Sequence, residues 1–118
     1  MSDYAKVLIQ WIPAVAGGRS VEVPLRPSGA QRYMPHFRLG PRGDYLGVAF
    51  LDGTPPVVAP GQTSEATVAL IYVDTGVDYS PLLPGVQFEV VEGARVVGRG
   101  AVLQRWQEDN DWRSRPAV

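Results

Sequence analysis

Residues 85–102, GVQFEVVEGARVVGRGAV, restrict the fold of this chain more than any other stretch. Phe88 and Val90 alternate with Gln87 and Glu89, and beyond the turn Val96, Gly98, Gly100 and Val102 fall on one face. A period of two rather than 3.6 marks extended chain. Glu92-Gly93-Ala94 interrupts the alternation, and glycine supplies the positive φ that a tight turn requires, so a β-hairpin is predicted. Gly98 and Gly100 clear one face of side chains for two successive steps. That suits a bulge, a sharp bend or close approach by another backbone. Such glycines weaken an open sheet and let a closed one curl.

The rest of the chain supplies strands for the hairpin to join. Over residues 4–12, Ala5, Val7, Ile9 and Trp11 alternate with Lys6, Leu8 and Gln10, which reads as a strand ended by Pro13. Gly17-Gly18-Arg19 turns the chain into a short extended piece at 20–25, and the Pro, Ser and Gly of 26–30 predict a loop. Pro35 interrupts the β-type segment Tyr33-Met34-Pro35-His36-Phe37. A proline cannot donate to a ladder, so this is an edge, a bulge or a strand start at a surface junction. Further strands are expected at 44–51 and at 65–73, the latter central because neither of its faces is very polar. The last strand runs to about Trp106, giving one domain over 1–106 and a polar tail over 107–118. Short strands between Pro and Gly turns, with no amphipathic helix among them, mean an antiparallel sandwich or small barrel.

Composition excludes several functions. With 45% hydrophobic residues in 118 the chain can build its own core, and a net charge of −1 gives no overall basic field for nucleic acid. Absence of cysteine rules out disulfides and thiolate chemistry and fits a reducing compartment. No apolar run has membrane-spanning length and the N-terminus lacks a secretory pattern, so a cytoplasmic location is expected. No phosphate-cradling G-x-x-x-x-G-K-[ST] is present, and Gly98-Arg99-Gly100 fails as a dinucleotide fingerprint because Leu103 takes the third glycine position. His36 is the only histidine and no G-x-S-x-G elbow exists, which leaves a triad or zinc site without parts. Asp74 and Asp78 lack the ligand spacing of a calcium loop and read as solvated turn formers. The expectation is therefore a non-catalytic protein with no cofactor and no metal. Trp112, in an otherwise polar tail, either docks back on the domain or serves a partner, and docking is the expectation.

The order of motifs resembles the C-terminal third domain of translation elongation factor Tu over roughly residues 4–106. The resemblance rests on Gly17-Gly18-Arg19, Tyr33-Met34-Pro35-His36-Phe37, Pro60-Gly61 before the long strand, and the hairpin. The family's hairpin typically reads G-L-R-F-A-I-R-E-G-G-R-T-V-G-A-G-V-V. Gly85, Phe88, Glu92-Gly93, Arg95, Val97-Gly98 and Gly100 keep its register. The resemblance implies an all-β fold, a six-stranded antiparallel barrel. It also implies contact surfaces for a GTPase domain, for the T-stem of aminoacyl-tRNA and for an exchange factor. These 118 residues contain no GTPase domain or middle barrel, so the expected role is that of a stand-alone module. Departures fall where partners would be met: an arginine of the family's Y-R-P-Q-F is Met34, those of L-R-F and I-R-E are Gln87 and Val91, and Ala94 replaces a glycine. Arg99 is a gain.

Two binding functions follow. In the first, the barrel is a protein-binding module, associated with the translation apparatus through the resemblance, whose exposed anchors are Met34, His36 and Phe37. In the alternative it binds RNA, tRNA by the resemblance, through Arg19, Arg32, Arg38, Arg42, Arg95 and Arg99. Arg95 has a plainer role open to it as well, a cross-hairpin pair with Glu92 or Glu89.

Overall fold

The computed structural model describes residues 1–27 and 31–114. Among the described residues eight strands are present: β1 (Ser2–Trp11), β2 (Val23–Pro24), β3 (His36–Arg38), β4 (Leu46–Thr54), β5 (Val57–Val58), β6 (Thr63–Leu70), β7 (Gln87–Glu92) and β8 (Arg95–Glu108). Six of them close an antiparallel barrel in the order β1-β6-β4-β3-β7-β8, with β8 returning to β1, while β2 and β5 pair separately. The all-β, six-stranded antiparallel barrel expected from the sequence is thus the fold. Most of the loop expected at 26–30, and the tail beyond 114, lie outside the described residues.

Alternation decides which side chains fill the barrel. Along β1, Ala5, Val7, Ile9 and Trp11 are buried in the core while Leu8 and Gln10 are exposed. Leu46, Val48 and Phe50 of β4, Val68 of β6, and Phe88 and Val90 of β7 join them. Phe37 lies at the centre, stacked on Phe88 at 4.0 Å between centroids and edge-on to Phe50 at 6.2 Å. The indole N–H of Trp11 donates to Ser64 Oγ at 2.9 Å, so the buried Ser64 and the buried donor satisfy one another.

In the hairpin, Glu92 pairs with Arg95 and leaves a two-residue loop of Gly93 and Ala94. Gly93 has φ 60° and among the described residues none other than glycine has positive φ, the pattern of a type II′ turn with glycine first. One sequence expectation is corrected here. The register steps from Val90↔Gly98 to Val91↔Val96, so Val97 is an extra residue in β8. That bulge turns Val97 into the core and leaves Val96 half-buried. A Cβ on Gly100 would lie 2.5 Å from the backbone oxygen of Leu8 and 2.8 Å from Phe88 Cζ, which is the close approach its glycine suggested. The long strand also ends sooner than expected: β6 stops at Leu70, and Val73–Thr75 forms a 3-10 turn closed by Gly76 at φ 89°.

Polar contacts fasten the loops to this frame. Arg19 donates to Glu92, Tyr33 Oη donates to the same carboxylate oxygen at 2.5 Å, and the Arg19 guanidinium lies 5.3 Å from the Tyr33 ring. Burial, together with the adjacent Glu92 carboxylate, pushes the Tyr33 phenol far above its ordinary pKa. For Arg19, burial works against the cation but Glu92 outweighs it, and the pKa rises. At another loop, Arg105 donates to the carbonyls of Tyr79 and Leu82 at 3.1 and 2.8 Å. Tyr79 Oη donates to the Gly47 carbonyl at 2.5 Å, and burial pushes its pKa up to about 12.

Two outcomes follow. Gly100→Val forces the side chain into the β1 backbone and should lower the denaturant midpoint by the equivalent of about 2 kcal/mol or more; an unchanged midpoint would mean that β1 and β8 separate freely. For Tyr79 the fold holds the neutral phenol, whereas an unfolded tyrosine ionises near 10. The unfolded state therefore binds fewer protons between pH 10 and about 12, and stability present below pH 10 is lost as pH rises through that window. Urea midpoints measured from pH 8 to 11.5 should fall, and should fall less steeply in Tyr79→Phe.

Candidate partner-binding face and arginine groove

β3 has only three residues, and its alternation separates the anchors named from the sequence. His36 points outward and is half-buried, while Phe37 points inward and is fully buried. The expectation of Phe37 as an exposed anchor is therefore corrected: its ring is needed between Phe88 and Phe50, and one residue's difference in an extended strand is the difference between core and surface. Met34, just before Pro35, is 47% exposed. Pro35 immediately precedes β3, one of the placements its missing N–H allowed. The carbonyls of Tyr33 and Pro35 accept from Phe50 and Val48 at 2.9 and 3.1 Å, which ties the segment to β4.

Two residues the sequence reading missed complete this face. The Tyr45 ring lies 5.5 Å from His36 and has the Arg38 guanidinium 5.7 Å from its centroid; Tyr45 is 43% exposed. Gly47 is the cross-strand neighbour of His36, and the ring of Tyr72 occupies the space above it, since a Cβ there would sit 2.4 Å from Tyr72 Cε2. Tyr72 keeps 41% of its surface exposed. Glycine inside an otherwise apolar strand was the available signal for Tyr72, because such a glycine marks close approach by another group. Met34, His36, Tyr45 and Tyr72 thus form an outward aromatic face over β3 and the start of β4.

The six arginines are not gathered on one surface. Arg19 is held by Glu92, and Arg38 donates to Glu89 at 3.0 Å. Arg32 lies 5.6 Å from the Trp112 ring centroid. Arg42, Arg95 and Arg99 are exposed and belong to no ion pair among the described residues. With Glu92 and Glu89 engaged by Arg19 and Arg38, the cross-hairpin pair considered for Arg95 is not formed. Arg99 sits in an outward row running Arg38, Glu89, Arg99, Gln10 and Thr63 across five strands. The row borders a groove of about 720 Å³ floored in part by Leu8, Ala101 and Gly100.

Of the carboxylates considered for a cation, Asp78 accepts from the Ser80 backbone N–H at 2.9 Å, and its hydrogen bonds to Ser80 lower its pKa. This is the local turn bonding expected for it. Among the described residues no group of three His, Asp or Glu side chains is placed to hold a metal ion. Nor is any helix among them long and apolar enough to cross a membrane. No protein-family model matches this chain, and no curated protein matches it either.

Proposed function

We propose that this barrel, of the elongation factor Tu C-terminal-domain type, is a non-catalytic module that binds a protein partner, with a tie to the translation apparatus carried by the motif resemblance. The observation that supports the reading most is the outward aromatic face of Met34, His36, Tyr45 and Tyr72. Aromatic and Met side chains left solvent-accessible side by side favour protein contact, because their burial yields the most free energy for the least lost side-chain freedom. Phe37 acts beneath this face by fixing β3, and it is not a contact residue.

RNA binding is the second reading, favoured by Arg42, Arg95 and Arg99, which are exposed and belong to no ion pair among the described residues. It is weakened because Arg19 and Arg38 already neutralise Glu92 and Glu89, which leaves less charge for phosphate.

A native-lysate pull-down with the full chain, with and without nuclease, separates the two. Under the protein-binding reading, Met34→Glu combined with Tyr45→Glu abolishes a nuclease-resistant partner, each lost anchor costing about 2 kcal/mol or about thirtyfold in affinity. The melting temperature should stay within about 2 °C of wild type, as befits exposed positions. Phe37→Glu, by contrast, should unfold the barrel. Retention of the partner by the folded double variant refutes the assignment of this face. Capture of RNA that declines steeply with salt and is lost in Arg95→Ala with Arg99→Ala would replace it with the second reading.

A further inference from the structure

The outer wall of the barrel carries its own apolar cluster, and the chain covers it with its tail. Tyr4, Ala49, Leu51 and Ala69 are buried although they lie opposite the interior-facing positions of β1, β4 and β6, and Trp112 packs on them. Leu51 follows Ala49 on the outward face by alternation, and the register step from Phe50↔Val68 to Asp52↔Thr67 lies at it. The expected docking of Trp112 is thus observed, at 8% exposure, with Arg32 and Arg113 guanidinium groups 5.6 and 4.7 Å from its ring centroid.

The polar contacts around this seat come from the first strand and read a short pattern. Ser2 Oγ donates to the Asn110 carbonyl at 2.8 Å and accepts from the Trp112 N–H at 3.0 Å. Tyr4 Oη donates to Asn110 Oδ1 at 2.5 Å. Past Glu108 the described tail has no strand pairing, so it can leave without opening the barrel. Beside it lies a cleft of about 320 Å³ between the tail and residues 70–74. Asp3, Asp74, Asp109 and Asp111 all line this cleft. Arg105 answers Asp3 and Arg113 answers Asp111, but Asp74 and Asp109 belong to no ion pair among the described residues. The resident tail therefore brings Asp109 into the same cleft as Asp74, and a segment bearing a basic residue in place of Asp109 offers Asp74 an opposite charge there.

We propose that this wall is a recognition site for an Asn-x-Trp segment with basic flanking residues, occupied in cis by the chain's own Asn110-Asp111-Trp112, which competes with a partner segment of that chemistry. The site is separate from the aromatic face proposed for partner binding, and its test does not depend on that reading. A tethered segment competes at a high effective concentration, so a free peptide gains access mainly when the tether is weakened.

The test uses the full chain and a fluorescein-labelled peptide of residues 107–114 carrying Asp109→Lys. The peptide should bind the Trp112→Ala chain at least about tenfold more tightly than the wild-type chain. Its advantage over the unsubstituted peptide should shrink as salt is raised, and a peptide with alanine for tryptophan should not bind. Should circular dichroism show Trp112→Ala unfolded, Asn110→Ala, which costs the tail its side-chain bond to Tyr4 and leaves Ser2, Tyr4 and Trp112 in place, should show the same tightening to a smaller degree. Equal binding to wild-type and folded variant chains, no binding at all, or binding that ignores the tryptophan would each overturn the proposal.

Discussion

Closure of the barrel depends on β8 pairing along one side with β7 and along the other with β1. A strand bonded on both sides over most of 14 residues must bend, and β8 bends by two devices. Val97 is an extra residue relative to β7, and Leu103 is an extra residue relative to β1, where Lys6↔Gln104 is followed by Val7↔Val102. Between these bulges Gly100 lets the β1 backbone come nearer than any side chain would permit, and Gly98 leaves room for the Ile9 and Trp11 side chains. Closure also removes the sheet edges that would otherwise invite pairing with other chains. Among the described strands, edges remain only on the separate β2–β5 pair.

The ion pairs are arranged around that frame and do not replace it. Arg38–Glu89 and Arg19–Glu92 both link β7 to segments that come earlier in the chain, and both are partly solvated, a setting in which such pairs are worth about 0.2–1 kcal/mol. Full burial of a single large apolar side chain contributes about 1.5–3 kcal/mol. Phe37, Phe50 and Trp11 therefore outweigh the charges in holding the fold. What the charges add is position: Glu92 fixes Arg19 and Tyr33 at the turn end of the hairpin, where no strand pairing would otherwise place the chain around 17–19. The same pairing leaves less of the Arg19 and Arg38 charge for a phosphate.

The β class was legible because its cause is periodic; periodicity left a sandwich or a small barrel open, and the six strands were what the motif resemblance implied. Alternation in β1 and β7, and the glycines of β8, are local patterns with one structural meaning, and the two-residue turn at Gly93 follows from residue type. The errors arose where one residue changes a face. In Tyr33-Met34-Pro35-His36-Phe37 the proline disguised the alternation, so Phe37 read as surface when its neighbour His36 is the outward one. Val96 and Val97 exchanged roles because a bulge leaves no mark in a valine pair. Tyr45 and Tyr72 were passed over for a different reason: they join His36 only through the β3–β4 pairing and the turn after β6, and no sequence spacing encodes that meeting.

β4 explains why the outer surface divides as it does. Its inward residues Leu46, Val48 and Phe50 are apolar, and its outward residues Gly47, Ala49 and Leu51 are apolar or bare, so a strand of this composition needs cover on both sides. The barrel interior covers one side. On the other, Tyr72 lies over Gly47, and Trp112 packs on the cluster containing Ala49 and Leu51. These two covers differ in how they are held. Tyr72 belongs to a turn braced by Tyr79, whose hydroxyl accepts from the Tyr72 N–H at 3.3 Å and donates to Gly47. Trp112 is held at the end of the chain by contacts that involve no strand pairing. One apolar stripe is therefore closed at one end by a turn braced through Tyr79 and at the other by a tail held through side chains of β1.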